Sequence, residues 1–187
     1  IKIIKNFFND NDYKFIKNYF LNNGNWKYNN IVIKSKIDST NYYESQFVMP
    51  LYYHEKNNFK ILEEHKDFFY KFINLDDFNK LNISQLIRVK VNIKHFTEKI
   101  YKFDYHTDIN IDKNNLELYD QNNFNKFKTL IIYFNDCNGY TFFKDNEQII
   151  YSEENKAVIF DTNMEHSGTT TNNSKFRLVL NINYIEK

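Results

Sequence analysis

The chain is poor in the residues that staple or punctuate a fold: one cysteine, one proline, three glycines and one tryptophan in 187 residues. The single thiol, Cys137, excludes an internal disulfide framework and any zinc cluster built on cysteines. A reducing, cytoplasmic setting is the simpler expectation. No apolar run approaches a membrane span and the start carries no signal-peptide pattern, although opening on Ile1 rather than Met leaves room for a trimmed leader. Charge of one sign is missing too. With 25 Lys and Arg against 24 Asp and Glu, no extended field steers the chain to nucleic acid or an anionic membrane. Repeats, low-complexity tracts and linkers are absent, and the length fits one domain with one core.

What is abundant is aromatic. Nineteen Phe and fifteen Tyr predict a core built from rings more than from Leu or Val. Asn9 to Asp12 offer helix caps ahead of Phe15, Ile16, Tyr19 and Phe20, whose spacing makes one apolar stripe and predicts a helix that ends near Asn22 to Gly24. Trp26 reads as a core anchor. Residues 31–53, with the one proline at Pro50, read as irregular strands and loops whose tyrosines could line a groove. A second helix is expected over residues 58–73, carrying Phe59, Leu62, Phe69, Phe72 and Ile73 on one face. His54 and His65 read as surface or core residues.

From residue 86 the period changes from 3.6 to 2. Ile87, Val89, Val91 and Ile93 alternate with Arg88, Lys90 and Asn92; Leu130, Ile132 and Phe134 with Thr129, Ile131 and Tyr133; Phe176, Leu178, Leu180 and Ile182 with Arg177, Val179, Asn181 and Asn183. Such strands fit a half-exposed sheet, on which Arg88 and Lys90 meet solvent. They equally fit a barrel with a polar lumen, packed against N-terminal helices. The candidate metal ligands decide between the two. In an extended strand His106 and Asp108 of Tyr105-His106-Thr107-Asp108 share a face. With His166 they would supply two neutral nitrogens and one carboxylate, the facial set of non-haem Fe(II) sites. Metal binding through two neutral imidazoles should weaken as pH falls through about 6.5. One His-x-Asp alone is weak, expected by chance about once in three chains of this composition.

The order of features in the second half adds weight. After His106 and Asp108 come the strand TLIIYFND (residues 129–136), the turn Asn138-Gly139-Tyr140-Thr141-Phe142-Phe143, then NKAVIFDTNMEHSGTT (155–170) with His166, and finally Arg177 beyond TTNNS, which reads as a hairpin turn. In this the chain resembles the Fe(II)- and 2-oxoglutarate-dependent oxygenases, in their prolyl-4-hydroxylase-like branch. That branch carries His-x-Asp, a strand with Tyr, a Gly-Gly-x-Thr-x-Phe turn, then His and a basic residue about ten positions on. The departures are Tyr140 for the second glycine and Val179 where some members have serine.

The resemblance implies a mainly β fold with N-terminal helices: a double-stranded β-helix, the jelly roll of the cupins, in one domain. Residues 1–80 would be helical support and a variable segment, and residues 81–187 the core. It implies Fe(II) held by His106, Asp108 and His166, with 2-oxoglutarate as cosubstrate, O2, and ascorbate as a further candidate. Arg177 would hold the distal carboxylate through its guanidinium fork, with Tyr133, Thr129 and Asn92 as companion cosubstrate residues and Thr141 a weaker one. The reaction implied is decarboxylation of 2-oxoglutarate to succinate and CO2 coupled to hydroxylation of a C–H bond. The substrate would be a prolyl or other peptidyl side chain, or a small molecule. Halogenases of this kind lack the carboxylate, so Asp108 favours a hydroxylase. The long polar stretch 109–128 is a candidate lid. Two other readings share the ligands: a jelly-roll module that binds metal without turnover, and a zinc hydrolase. The hydrolase needs a general base, and Glu165, beside His166 on a strand, would face away.

Overall fold

The computed structural model describes residues 1–23, 25–29, 45–55, 58–108 and 126–187. Helix α1 (Asp10–Asn22) begins at Asn9, whose side-chain oxygen accepts from the Asn11 and Asp12 amides, both at 3.1 Å. Asp10 and Asp12 then lie in the first turn, where the helix dipole favours them. Its apolar stripe buries Tyr13, Ile16 and Phe20. Trp26 also packs against this core, partly buried.

Eleven strands are described: β1 (Lys2–Ile4), β2 (Lys27–Asn29), β3 (Gln46–Glu55), β4 (Asn58–Ile61), β5 (Ile83–His95), β6 (Phe127–Tyr133), β7 (Tyr140–Phe143), β8 (Ile149–Tyr151), β9 (Ala157–Asp161), β10 (His166–Gly168) and β11 (Phe176–Glu186). The larger sheet runs β1-β9-β6-β11-β5-β3-β2, with β4 on β3; the smaller runs β10-β7-β8. All these pairings are antiparallel. This is the jelly-roll arrangement of a double-stranded β-helix, two facing sheets with helices α1, α2 (Lys66–Ile73) and α3 (Asp76–Asn79) beside them.

Alternation decides which side chains go where. Val89, Val91, Leu130, Ile132, Leu178, Leu180 and Ile182 join the helices in one core dominated by rings, including Tyr13 stacked on Phe134 at 5.4 Å and Tyr52 on Phe69 at 5.3 Å. On the opposite face Ile131, Tyr133, Val158, Phe160 and Val179 meet Phe143 and Ile150 of the smaller sheet. The polar inward positions of β5 and β11 lie opposite one another in register: Arg177 with Lys94, Val179 with Asn92, Asn181 with Lys90, Asn183 with Arg88.

Four expectations change. The expected helix over 58–73 is only half helical. Residues 58–61 instead pair with β3, from Glu55↔Asn58 to Tyr52↔Ile61, because a waiting strand edge outweighs a spacing that Phe59 and Leu62 satisfy by coincidence. Within residues 31–53, positions 46–53 belong to the regular strand β3, with a bulge after Pro50 where no outer neighbour is paired. The first 80 residues are more than helical support, since they contribute β1 to β4 to the large sheet. TTNNS is a crossover and not a hairpin: it carries the chain from β10 in the smaller sheet to β11 in the larger, held to the preceding turn by Thr171 Oγ1 donating to Asn138 and by Asn173 accepting from the Asn138 amide. A hairpin and a crossover use the same turn residues. The candidate lid 109–128 lies outside the described residues over 109–125. Among the described residues no helix is long and apolar enough to cross a membrane.

His65 is buried under α1, and its Nδ1 shares a 2.8 Å hydrogen bond with the Tyr19 hydroxyl. Burial lowers its pKa below the ordinary value, with the nearby Glu64 opposing and Lys27 adding to the fall. The unfolded chain therefore takes up this proton first as pH drops. Stability should fall as pH is lowered through about 6.5, and that part of the slope should be absent in His65→Gln. Urea melts of both proteins between pH 7.5 and 5 measure it; parallel curves would contradict the assignment.

Candidate metal and cosubstrate site

His106 does not lie on a strand. It forms an isolated antiparallel bridge with His166, each backbone N–H donating to the other's carbonyl at 3.0 Å. Residues opposed in such a bridge project to the same side. The two imidazoles accordingly stand with ring centroids 4.8 Å apart. Asp108, two residues on in a bend, brings its carboxylate to the same place. One ligand atom from each of His106, Asp108 and His166 lies within 4.8 Å of the others. The isolated bridge, and not strand alternation, makes the two imidazoles converge.

The donor set suits a divalent metal. His166 is buried, and its Nδ1 lies 3.0 Å from the Met164 carbonyl, which fixes the proton there and leaves Nε2 free to donate its lone pair. Nε2 is 3.6 Å from Asp108 Oδ2. His106 is held neutral: burial, followed by the charge of His166, lowers its pKa to about 4 against the pull of Asp108. Its lone pair is thus available well below the 6.5 expected of a free imidazole. Burial alone would raise Asp108, but His166, Arg88, Lys90 and His106 together hold it well below the usual carboxylate range.

Arg88 and Lys90 face inward, contrary to the solvent-exposed option. Arg88 Nη2 donates at 3.0 Å both to Asp108 Oδ1 and to its backbone carbonyl, while Asn181 Nδ2 donates at 2.9 Å to Oδ2. Behind Arg88 the chain of bonds continues from its Nε to Asn183 Oδ1 and from Asn183 Nδ2 to Thr129 Oγ1, each at 2.9 Å, and on to Thr162. Thr129 therefore supports Arg88 and does not line the cavity with the others. Because partners of a ligand typically contribute tenfold to a hundredfold in metal affinity, Arg88→Met should weaken Mn(II) binding by about that factor. Arg88→Lys should fall between. An unchanged titration would remove Arg88 from the site.

Next to the metal position lies a cavity lined in part by Lys90, Asn92, Lys94, Phe103, Thr141, Arg177, Val179 and Asn181, with His106, Asp108 and His166. Arg177 is buried; its Nε donates to Ser152 Oγ at 2.8 Å and its Nη2 to Thr141 Oγ1 at 2.9 Å. Tyr133 also donates to Thr141 Oγ1, at 2.9 Å, and its ring lies 5.3 Å from the guanidinium carbon. Burial raises the phenol's pKa, with Arg177 opposing, so the hydroxyl stays a donor. Among the described residues no carboxylate pairs with Arg177. Asn92 lines the cavity too, with its side-chain oxygen buried and without a hydrogen bond.

Gly139 is required by this packing, since a Cβ there would sit 2.7 Å from Arg177 Cδ and 2.8 Å from the Thr170 carbonyl. Counting back from Thr141, Gly139 is the second glycine of the turn pattern. The departure is therefore Asn138, whose side chain bonds Thr171 and Asn172, and not Tyr140.

No protein-family model matches the sequence, and no curated protein matches it. Solved structures do match. An oxidoreductase of the 2-oxoglutarate-Fe(II) oxygenase family from Burkholderia pseudomallei superposes with a TM-score of 0.67 over 98% of this chain and 84% of its own, at 8% identity. The fold is that of the 2-oxoglutarate-Fe(II) oxygenases. HygX from Streptomyces hygroscopicus, with nickel and 2-oxoglutarate bound, shares it at a TM-score of 0.57 and 8% identity, over 99% of this chain and 82% of its own. So does a prolyl hydroxylase from Trichoplax adhaerens in complex with a hypoxia inducible factor peptide, at 0.55 and 13%, over 99% and 83%. In this oxygenase fold, sequence reading passed over Arg88, Lys90, Lys94, Ser152 and Asn181 as site residues. Period-two polarity on β5 and β11 is the one signal that could have found four of them.

Proposed function

We propose that the chain is an Fe(II)- and 2-oxoglutarate-dependent dioxygenase that hydroxylates a C–H bond of a peptidyl or small-molecule substrate. The observation that carries this is a pair: three metal-ligand side chains converge at a cavity, and a buried guanidinium with no carboxylate partner among the described residues lines the same cavity. A buried cation is costly unless paired. A dicarboxylate spanning metal and arginine would pair it.

In this reading His106, Asp108 and His166 hold iron facially, leaving the remaining positions to cosubstrate and oxygen. When bound, the metal supplies dioxygen activation: 2-oxoglutarate, O2 and substrate C–H become succinate, CO2 and substrate C–OH. The chain's own residues do the rest. Arg177, positioned by Ser152, Thr141 and the Tyr133 ring, orients the cosubstrate. Phe103, Ile131 and Val179 keep water from the cavity wall. Asp108 fills the place that a halide would need. Glu165, the candidate base for a zinc hydrolase, pairs with Lys144 at the surface, which favours the oxygenase reading. The test is direct. Iron-loaded protein should bind 2-oxoglutarate under anaerobic conditions and form succinate when air is admitted; folded, metal-loaded protein that does not bind 2-oxoglutarate would overturn the proposal.

A further inference from the structure

Asp108 is the only carboxylate among the described residues lining the cavity, against Lys90, Lys94 and Arg177. Its oxygens are committed, one to Arg88 and the other to Asn181 and the metal position. The oxygenase reading adds a divalent metal and the two carboxylates of 2-oxoglutarate. With Lys94 set aside, its ammonium 3.9 Å from the Phe103 ring, the positive charge of Arg88, Lys90, Arg177 and the metal still exceeds the negative charge of Asp108 and the cosubstrate, and of these three side chains Lys90 is the one given neither an ion pair nor a place on the cosubstrate.

Register places that charge. Lys90 faces Asn181, whose amide holds Asp108, whereas Lys94 faces Arg177 four residues along the same strand. Four residues of strand span about 13 Å. The backbone of Lys90 thus stands at the metal end, away from the strand position that faces Arg177. Among the described residues no carboxylate lies within ion-pairing distance of it. A lysine held in such a wall, next to Arg88, is stabilised by an anion arriving from outside.

We propose that the molecule this site acts on carries an anionic group, a carboxylate or a phosphate, which Lys90 holds beside the metal. The proposal rests on the oxygenase reading and narrows its substrate class. Neutral prolyl peptides and polycationic sugars are disfavoured; small acids, phosphorylated metabolites and peptides with an acidic group beside the reacting carbon are favoured. Lys90 here is a specificity-determining residue. It discriminates by charge, because a cation or a neutral isostere would cover the ammonium without pairing it.

The experiment uses protein saturated with Mn(II) and 2-oxoglutarate, titrated calorimetrically with matched pairs: N-acetyl amino acids against their amides, and phosphomonoesters against the parent alcohols. The anionic member of at least one pair should bind about tenfold tighter or more, and the two kinds of pair separate carboxylate from phosphate. Lys90→Met should abolish the preference, and Lys90→Arg should keep it. The proposal is overturned if neutral members bind equally well, if no member binds, or if Lys90→Met weakens 2-oxoglutarate instead, which would assign the lysine to the cosubstrate. Failure of wild-type protein to bind 2-oxoglutarate at all is a different result: it removes the oxygenase reading and this proposal with it.

Discussion

Arg177→Leu should leave metal binding intact and weaken 2-oxoglutarate by roughly thirtyfold to a few thousandfold, the range that follows from about 2 to 5 kcal/mol for removing one partner of a buried charge pair. The guanidinium makes no contact with a metal-ligand side chain among those described, and its protein partners are the hydroxyls of Ser152 and Thr141. Its charge is therefore available to a ligand. Those two bonds, with the Tyr133 ring and the close approach of Gly139, hold the fork in one orientation. Arg177→Lys keeps the charge and loses the fork, so it should lie between wild type and Leu. Iron and 2-oxoglutarate are titrated separately, with succinate formation measured alongside. Unchanged 2-oxoglutarate affinity in a folded Leu variant would sink the cosubstrate role, and with it the distinction from a bare metal-binding module.

The second large effect is expected at the metal ligands. Structural metal sites bind with about 10 to 16 kcal/mol over four ligands, or roughly 3 kcal/mol each. His166→Ala and Asp108→Ala should therefore each lower Mn(II) affinity by a hundredfold or more. The two should differ in the metal-free protein. Asp108→Ala strips Arg88 of two hydrogen bonds and Asn181 of one, leaving the Arg88 guanidinium without its ion-pair partner. His166→Ala opens a buried space but leaves no uncompensated charge. Asp108→Ala should then melt well below wild type even without metal, and adding Mn(II) should stabilise wild type alone. A folded His166→Ala that binds Mn(II) like wild type would dissolve the three-ligand site.

The sequence by itself determined the strands of the second half, because alternation of period two survives in Ile87 to Ile93, Leu130 to Phe134 and Leu178 to Ile182 whatever the fold around them. The first helix was equally legible, since its cap and stripe are local. Order and spacing also singled out His106, Asp108, His166 and Arg177, the first three of which the structure brings together. What tertiary structure alone decided is how these meet. A bridge between two chain segments sixty residues apart, His106 with His166, aims the imidazoles together; local alternation around residue 106 does not. Segment 58–61 became a strand because β3 offered an unpaired edge, and TTNNS became a crossover because its two flanking strands belong to different sheets. The inward course of Arg88 and Lys90 is of the same kind. A polar face reads alike in sequence whether it meets water or a lumen, and only the second sheet, laid across it, turns two lysines and an arginine into the wall of a cavity.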